Sequence, residues 1–349
     1  MLSDFSVLEG DYFRDLMDQP RALQETVAGL EVPVRLESVA ARARKGEFRA
    51  AILTGMGSSF HALQPLQLEL IQQGFLAITV ETSELIHNKS KLLSPETLLV
   101  AVSQSGQSAE VVRLLKLNLG KSPLIAITNT PDSPLAIQAD AAILTRAGKE
   151  FSVSCKTYVT ALAGLKWLGD VICECDLRHS RRELLDAIPV VREYLGSWKQ
   201  HVHGFLELLD GVRHLFLVGR GASLAAVGTG ALIIKESTHF HAEGMSSAAF
   251  RHGPFEMLGD EIFVLIFAGA NNTRDLNTGL LADISEQRGR AAWVGEDATF
   301  APCVLPAAPP SIEPIMEILP VQMITLALAV RAGREPGRFS LATKVTTKE

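Results

Sequence analysis

The chain has 349 residues, enough for two domains of ordinary size rather than one. Hydrophobic residues make up 47% and charged residues 21%, which excludes a disordered chain and matches a soluble globular α/β protein. A formal net charge of −6 leaves no electrostatic footprint for nucleic acid, so an anionic ligand must be held by local hydroxyls and helix N-termini.

Along the chain, residues 12–30 place apolar and charged positions at helical spacing, with Pro20 near an N-terminal turn. A second helix is predicted over 34–45. A repeating grammar follows: a short apolar run, a Gly- or Ser-rich turn, an amphipathic helix. The runs at 50–54, 77–80, 98–102, 124–128 and 141–144 predict the strands of a parallel sheet covered by helices on both faces. Helical segments over 178–209 lead into a second series, with strands predicted at 214–218, 262–268, 291–294 and 303–305.

One pairing is specific enough to be a repeat. Ile52-Leu53-Thr54-Gly55-Met56-Gly57-Ser58-Ser59 matches Phe216-Leu217-Val218-Gly219-Arg220-Gly221-Ala222-Ser223 at an offset of 164 residues. The same offset carries the strand ending at Val102 onto the one ending at Ile266. Two copies of one α/β domain are therefore expected, joined near 175–200. They diverge after the third strand. The first copy has Ser103-Gln104-Ser105-Gly106-Gln107-Ser108, and the second has Phe267-Ala268-Gly269-Ala270-Asn271-Asn272, with every hydroxyl gone. The first copy thus keeps an anion site and the second has another task.

In the first of these stretches a strand ends, Gly106 permits a tight turn, and a helix is predicted to begin near Gln107. Hydroxyls and backbone N–H groups converge at a helix N-terminus, a cradle for a phosphate that lacks the lysine of a P-loop. The competing interpretation is that Ser105 caps the helix and the other residues merely form the turn. Gly55-Met56-Gly57-Ser58-Ser59 is the other strand-to-helix turn, and its third position is Phe60, so the dinucleotide fingerprint fails. Ser59 could face the same ligand as Ser103 and Ser105.

The second copy supplies acid–base candidates. Glu236 lies on a helix of apolar neighbours, and shielding of that kind raises a carboxyl pKa towards the range useful for moving a proton between carbons. His252, in Phe250-Arg251-His252-Gly253-Pro254, stands on a turn that Gly-Pro fixes. A surface ion pair with Lys235 and a hydrogen-bonded loop histidine are the plainer alternatives. Alternation in residues 238–243 would put His239, His241 and Glu243 on one face of a strand, in a structural role rather than as metal ligands.

Cys155, Cys173, Cys175 and Cys303 are scattered, and the single C-x-C has no second pair at zinc-ligand spacing. Four reduced thiols are expected, with no metal and no cofactor. Met1-Leu2-Ser3-Asp4-Phe5 lacks the regions of a signal peptide. The most apolar run, residues 316–330, contains Pro320 and Gln322 and is too short to span a bilayer. The expectation is a cytoplasmic protein, with neither membrane nor nucleic acid as partner.

Taken together, these motifs resemble the sugar isomerase (SIS) domain family, specifically the isomerase half of glucosamine-6-phosphate synthase and related aminosugar-phosphate deaminases. Residues 30–349 carry the resemblance, most specifically in residues 103–108, Gly219-Arg220-Gly221, Lys235-Glu236, Arg251-His252-Gly253-Pro254 and the terminal Leu341-Ala342-Thr343-Lys344-Val345-Thr346. It implies two tandem SIS domains, each a flavodoxin-like three-layer sandwich, at 31–175 and 195–335. A helical segment at 1–30 precedes them, and a tail at 336–349 lies over the active site.

By resemblance, Ser59, Ser103, Gln104, Ser105 and Ser108 hold a sugar phosphate, and Val153 and Cys155 lie on a loop touching the sugar hydroxyls. Glu236 shuttles a proton between C1 and C2. His252 assists ring opening from the partner subunit of a homodimer with shared active sites. Two departures stand out: Ile233 replaces a helix lysine, and Thr343 replaces the tail lysine, with Lys344 one residue on as the candidate substitute. The sequence shows no glutaminase domain, so the implied chemistry is that of a glutamine-independent sugar-phosphate isomerase or aminosugar-phosphate deaminase. A fructosamine-type deglycase and a non-catalytic sugar-phosphate sensor are the alternatives.

Overall fold

The computed structural model of the protein describes residues 5–346 except 342. The chain divides into two compact units. One comprises Gln19–Glu150, Lys156–Ile188 and the segment from Leu341; the other comprises residues up to Asp18, Phe151–Cys155 and Pro189–Ser340.

The first unit is built on five parallel strands: β1 (Ala50–Gly55), β2 (Ala77–Glu81), β3 (Thr97–Val102), β4 (Leu124–Thr128) and β5 (Ala141–Leu144). Their order is β2-β1-β3-β4-β5. Central strands of a parallel sheet are covered on both faces, which is why β3 and β4 are apolar without alternation and buried at every position. Ile52, Leu99, Ala126, Leu114 and Leu135 meet in a core on one face. Each buried leucine or isoleucine there contributes about 1.5–3 kcal/mol. Helix Lys156–Ile172 is buried along its whole length, as its all-round apolar pattern requires. The chain leaves β1 for β2 on one side and returns to β3 on the other. The loops after β1 and β3 therefore diverge and open a crevice at the strands' carboxyl ends.

The second unit repeats the scheme with β6 (His214–Gly219), β7 (His241–Ser246), β8 (Ile262–Phe267) and β9 (Arg290–Val294), all parallel, in the order β7-β6-β8-β9. Phe216, Val218, Phe250, Val264, Ile266 and Leu280 form a core on its sheet. The α/β architecture with two parallel sheets flanked by helices follows the sequence reading.

Several elements differ from expectation. The strand predicted over 303–305 is a single parallel bridge, Gly295 to Val304, preceded by a 3-10 turn at Ala301–Cys303. Pro302 and Pro306 bracket it, and neither has an N–H to extend a ladder. The helix predicted over 12–30 is two, Asp11–Met17 and Gln19–Ala28, with Pro20 in the first turn of the second. His239 is not on a strand. It ends helix Leu224–Thr238 in a left-handed conformation (φ 56°), so only His241 and Glu243 share a face of β7.

The apolar run near 316–330 belongs to a 20-residue helix, Glu313–Ala332, which continues through Pro320. It is long and apolar enough to cross a membrane, contrary to the length argument. Its residues from Pro314 to Ala329 are nevertheless buried within the protein, the position of a core helix.

Candidate functional site

The loop after β3 is held open by its own backbone chemistry. Ser103 ends the strand with an N–H donated to Ile127 O (3.0 Å), and its hydroxyl accepts from Gly106 N (3.1 Å). The Gln104 carbonyl receives Asn129 N (3.1 Å) and the Thr128 hydroxyl (3.2 Å), which fastens the turn to the end of β4. Gly106 has φ 62°, a left-handed position that favours glycine. The Ser105 hydroxyl accepts from Gln107 N (3.4 Å).

Helix Ala109–Asn118 then starts two residues later than predicted, and its cap is Ser108, not Ser105: the Ser108 hydroxyl accepts from Val111 N (3.5 Å). In these bonds all three serines act as acceptors, so each keeps its own O–H to donate to an anion. Ser103 is buried, and Ser105 and Ser108 are half-buried. Three donors at a helix N-terminus, where the macrodipole is positive, fit a phosphate.

Ser59 stands in the short helix Ser58–His61, just past the end of β1, and is half-buried. Gly57, with φ 54°, makes the sharp entry to that helix. Strands β1 and β3 are neighbours, so Ser59 and the serine loop occupy the carboxyl ends of the two strands where the order reverses. The same unit holds Lys344, whose ammonium is ion-paired with Glu150 Oε2.

The other unit carries the remaining candidates. Glu236 lies in the last turn of helix Leu224–Thr238 and is half-buried, next to the fully buried Ile233 and Ile234. His252 is exposed and ends the short helix Ser247–Arg251, its N–H bonded to Ala249 O (3.0 Å). Gly253 follows with φ 149° and lets the chain turn into Pro254. Val153 and Cys155 are buried, at 1% and 0% exposure, so contact with a ligand at that loop falls to backbone or neighbouring groups. Among those neighbours, the Ser152 hydroxyl donates to Gly337 O (2.6 Å). The loop after β8, which matches the serine loop by repeat, leads into helix Asn271–Glu286 with Ala270 at the cap position and no side-chain cap. There Asn277 Nδ2 donates to Phe267 O (3.0 Å) and Ala268 O (3.1 Å), which ties the end of β8 to the following helix.

Residues 48–168 and 208–292 match the SIS domain, one match on each sheet. The chain belongs to the SIS domain family. Among its relatives, a glutamine–fructose-6-phosphate aminotransferase (isomerizing) from Pyrococcus horikoshii is 30% identical over 96% of this chain and 57% of its own length. This SIS chain thus spans a little over half the length of that curated relative.

Two solved structures share the fold. A tagatose-6-phosphate ketose/aldose isomerase from Escherichia coli superposes with a TM-score of 0.82 at 20% identity, covering 94% of this chain and 95% of that one. A glucosamine-6-phosphate deaminase from Thermotoga maritima gives 0.75 at 17% identity, covering 97% and 100%.

The sequence reading missed a buried ionic cluster in the first SIS unit. Lys166 Nζ donates to Asp170 Oδ1 (3.0 Å) and Oδ2 (2.8 Å) and lies 3.1 Å from Glu183 Oε2. Burial alone would lower the lysine's pKa, but the bonds to Asp170 and Glu183 outweigh it and raise it. Burial, and then the charge of Asp170, push Glu69 up to about 7. Ligand atoms of Glu69, Asp170 and Cys175 lie within 4.8 Å of one another. Burial pushes the Cys175 thiol up, which works against the thiolate a metal needs. The available signal was Lys166 and Asp170 one helical turn apart in an otherwise apolar run.

Proposed function

We propose that this SIS protein is a sugar-phosphate isomerase or aminosugar-phosphate deaminase acting on an aminosugar or hexose 6-phosphate, of the type that converts glucosamine 6-phosphate to fructose 6-phosphate. The observation that carries this reading is the serine loop. It presents three hydroxyl donors on a helix N-terminus at the point where the strand order reverses.

Ser103, Gln104, Ser105, Ser108 and Ser59 hold the phosphate, which fixes one end of the sugar. His252 assists ring opening. Glu236 takes the proton from C2 of the open-chain aldehyde and returns it to C1. For an aminosugar the resulting C2 imine is hydrolysed: water supplies the carbonyl oxygen and ammonia leaves. For a hexose phosphate the same proton transfer completes the isomerisation. The half-buried setting of Glu236 beside Ile233 and Ile234 suits a group that must give its proton up again. In this reading the working form is a homodimer in which His252 of one protomer serves the site of the other.

The test is to incubate the protein with glucosamine 6-phosphate and measure ammonia and fructose 6-phosphate, alongside Glu236→Gln. Turnover that the substitution abolishes supports the enzyme. Thermal stabilisation by sugar phosphates without turnover of any of them would replace it with a sensor.

A further inference from the structure

Residues 343–346 fold back onto the unit that holds the serine loop. The Thr346 carbonyl accepts from Ala109 N (3.1 Å), the first residue of the helix that the loop opens. Two residues earlier, the Lys344 ammonium pairs with Glu150 Oε2. The Glu150 side chain is wholly enclosed, at 0% exposure, while that of Lys344 keeps 24%.

The same carboxylate receives Thr157 N at Oε1 (3.0 Å) and the Thr157 hydroxyl at Oε2 (2.6 Å). Thr157 is the second residue of helix Lys156–Ile172, so a helix N-terminus and two hydrogen bonds set the orientation of the carboxylate. An enclosed carboxylate is costly unless its lone pairs are met, and here Lys344 completes the set. Glu150 is thus a fixed socket, and the lysine is the movable half of the pair.

We propose that Glu150 is a positioning residue: through Lys344 it latches segment 343–346 beside the serine loop and so presents an ammonium to the sugar phosphate, a role that rests on the function proposed above. Two residues of extended chain span at most about 7 Å, so the Lys344 backbone lies within that reach of Thr346, whose carbonyl is bonded to the first turn of the phosphate helix. The Thr343 hydroxyl turns instead to Val345 O (2.8 Å) within the segment itself. Register is therefore set by Glu150, and position 344 is the one that meets it. An ammonium paired with a carboxylate has no lone pair with which to attack a carbonyl. Lys344 accordingly serves as a positive hydrogen-bond donor to substrate oxygens, not as an imine-forming amine.

Two measurements on Glu150→Gln, Lys344→Met, Lys344→Arg and the Gln/Met double variant test this. The first needs no turnover: hydrogen exchange of the full chain without ligand. Faster exchange at the Ala109 amide and across 343–346 is expected in Glu150→Gln and Lys344→Met alike; wild-type protection in both overturns the latch. Lys344→Met leaves the Glu150–Thr157 bonds in place, so it reports even if Glu150→Gln folds poorly.

The second measurement is steady-state turnover of glucosamine 6-phosphate. About a 10- to 100-fold loss of kcat/KM is expected in either single variant, with no further loss in the double and partial retention in Lys344→Arg. Fully additive losses would show that Glu150 acts independently of Lys344. If the wild type turns over no sugar phosphate, the enzyme reading falls while the exchange data still decide the latch.

Discussion

Gly106 and Ser133 approach so closely that a Cβ on residue 106 would lie 2.2 Å from the Ser133 hydroxyl oxygen. Ser133 cannot move without loss, because its hydroxyl caps helix Pro134–Gln138 by accepting from Ala136 N (3.3 Å). Gly106 also carries φ 62°. Gly106→Ala therefore meets a clash and a strained backbone at once. We predict a loss of about 1–3 kcal/mol in stability together with loss of sugar-phosphate binding, measurable by denaturant titration and by thermal shift with fructose 6-phosphate.

The serines of the same loop divide their labour. Ser108 caps a helix and Ser105 accepts a single N–H within the turn. Ser108→Ala should cost about 1 kcal/mol of stability and also weaken phosphate binding. Ser105→Ala should weaken binding with stability changed by less than about 0.5 kcal/mol. Equal stability losses in both variants would contradict this assignment.

A pH dependence follows from Glu69 and Glu313, both pushed up to about 7 from an ordinary value of 4.5, in each case chiefly by burial. An acid whose folded pKa lies above its unfolded one binds its proton more tightly when folded. Its contribution is full below the unfolded value and is lost as pH rises through the folded value. Stability should therefore fall between about pH 4.5 and 7.5, by roughly 2–3 kcal/mol per group. His201, held low by burial, works against this trend at the acidic end. Glu69→Gln should flatten its share of the slope in urea unfolding followed across that range.

Lys166 and Asp170 form an ion pair whose side chains keep only 7% and 3% exposure. Removing Asp170 takes two hydrogen bonds from the buried ammonium and leaves it Glu183 as a charge partner, so Asp170→Ala should destabilise by about 1.5–3 kcal/mol. The double variant Lys166→Met, Asp170→Leu should recover much of that loss. Circular dichroism melts of the three proteins provide the comparison.

Much of the first sheet was legible because its strands are buried on both faces, which forces continuous apolar runs such as Leu98 to Val102 between Gly- and Ser-rich turns. The repeat was legible because both copies place a glycine pair after their first strand. The run at 303–305 misled for the converse reason: three apolar residues imitate a strand, but the flanking prolines remove the donors a ladder needs. The start of helix Ala109–Asn118 was placed two residues early, with Ser105 as the candidate cap, because the residue types do not distinguish one serine of the loop from another and only the backbone geometry selects Ser108.

The sequence by itself determined the α/β class, the doubling, and the concentration of hydroxyls after β3, since these follow from local periodicity and from residue types within a few positions of one another. Tertiary structure alone decided which distant groups meet. Glu150 and Lys344 are 194 residues apart, and nothing in either neighbourhood announces the other. Their pairing, like that of Glu183 with Lys166, arises because close packing encloses a charged group that must then find a partner among the groups the fold delivers.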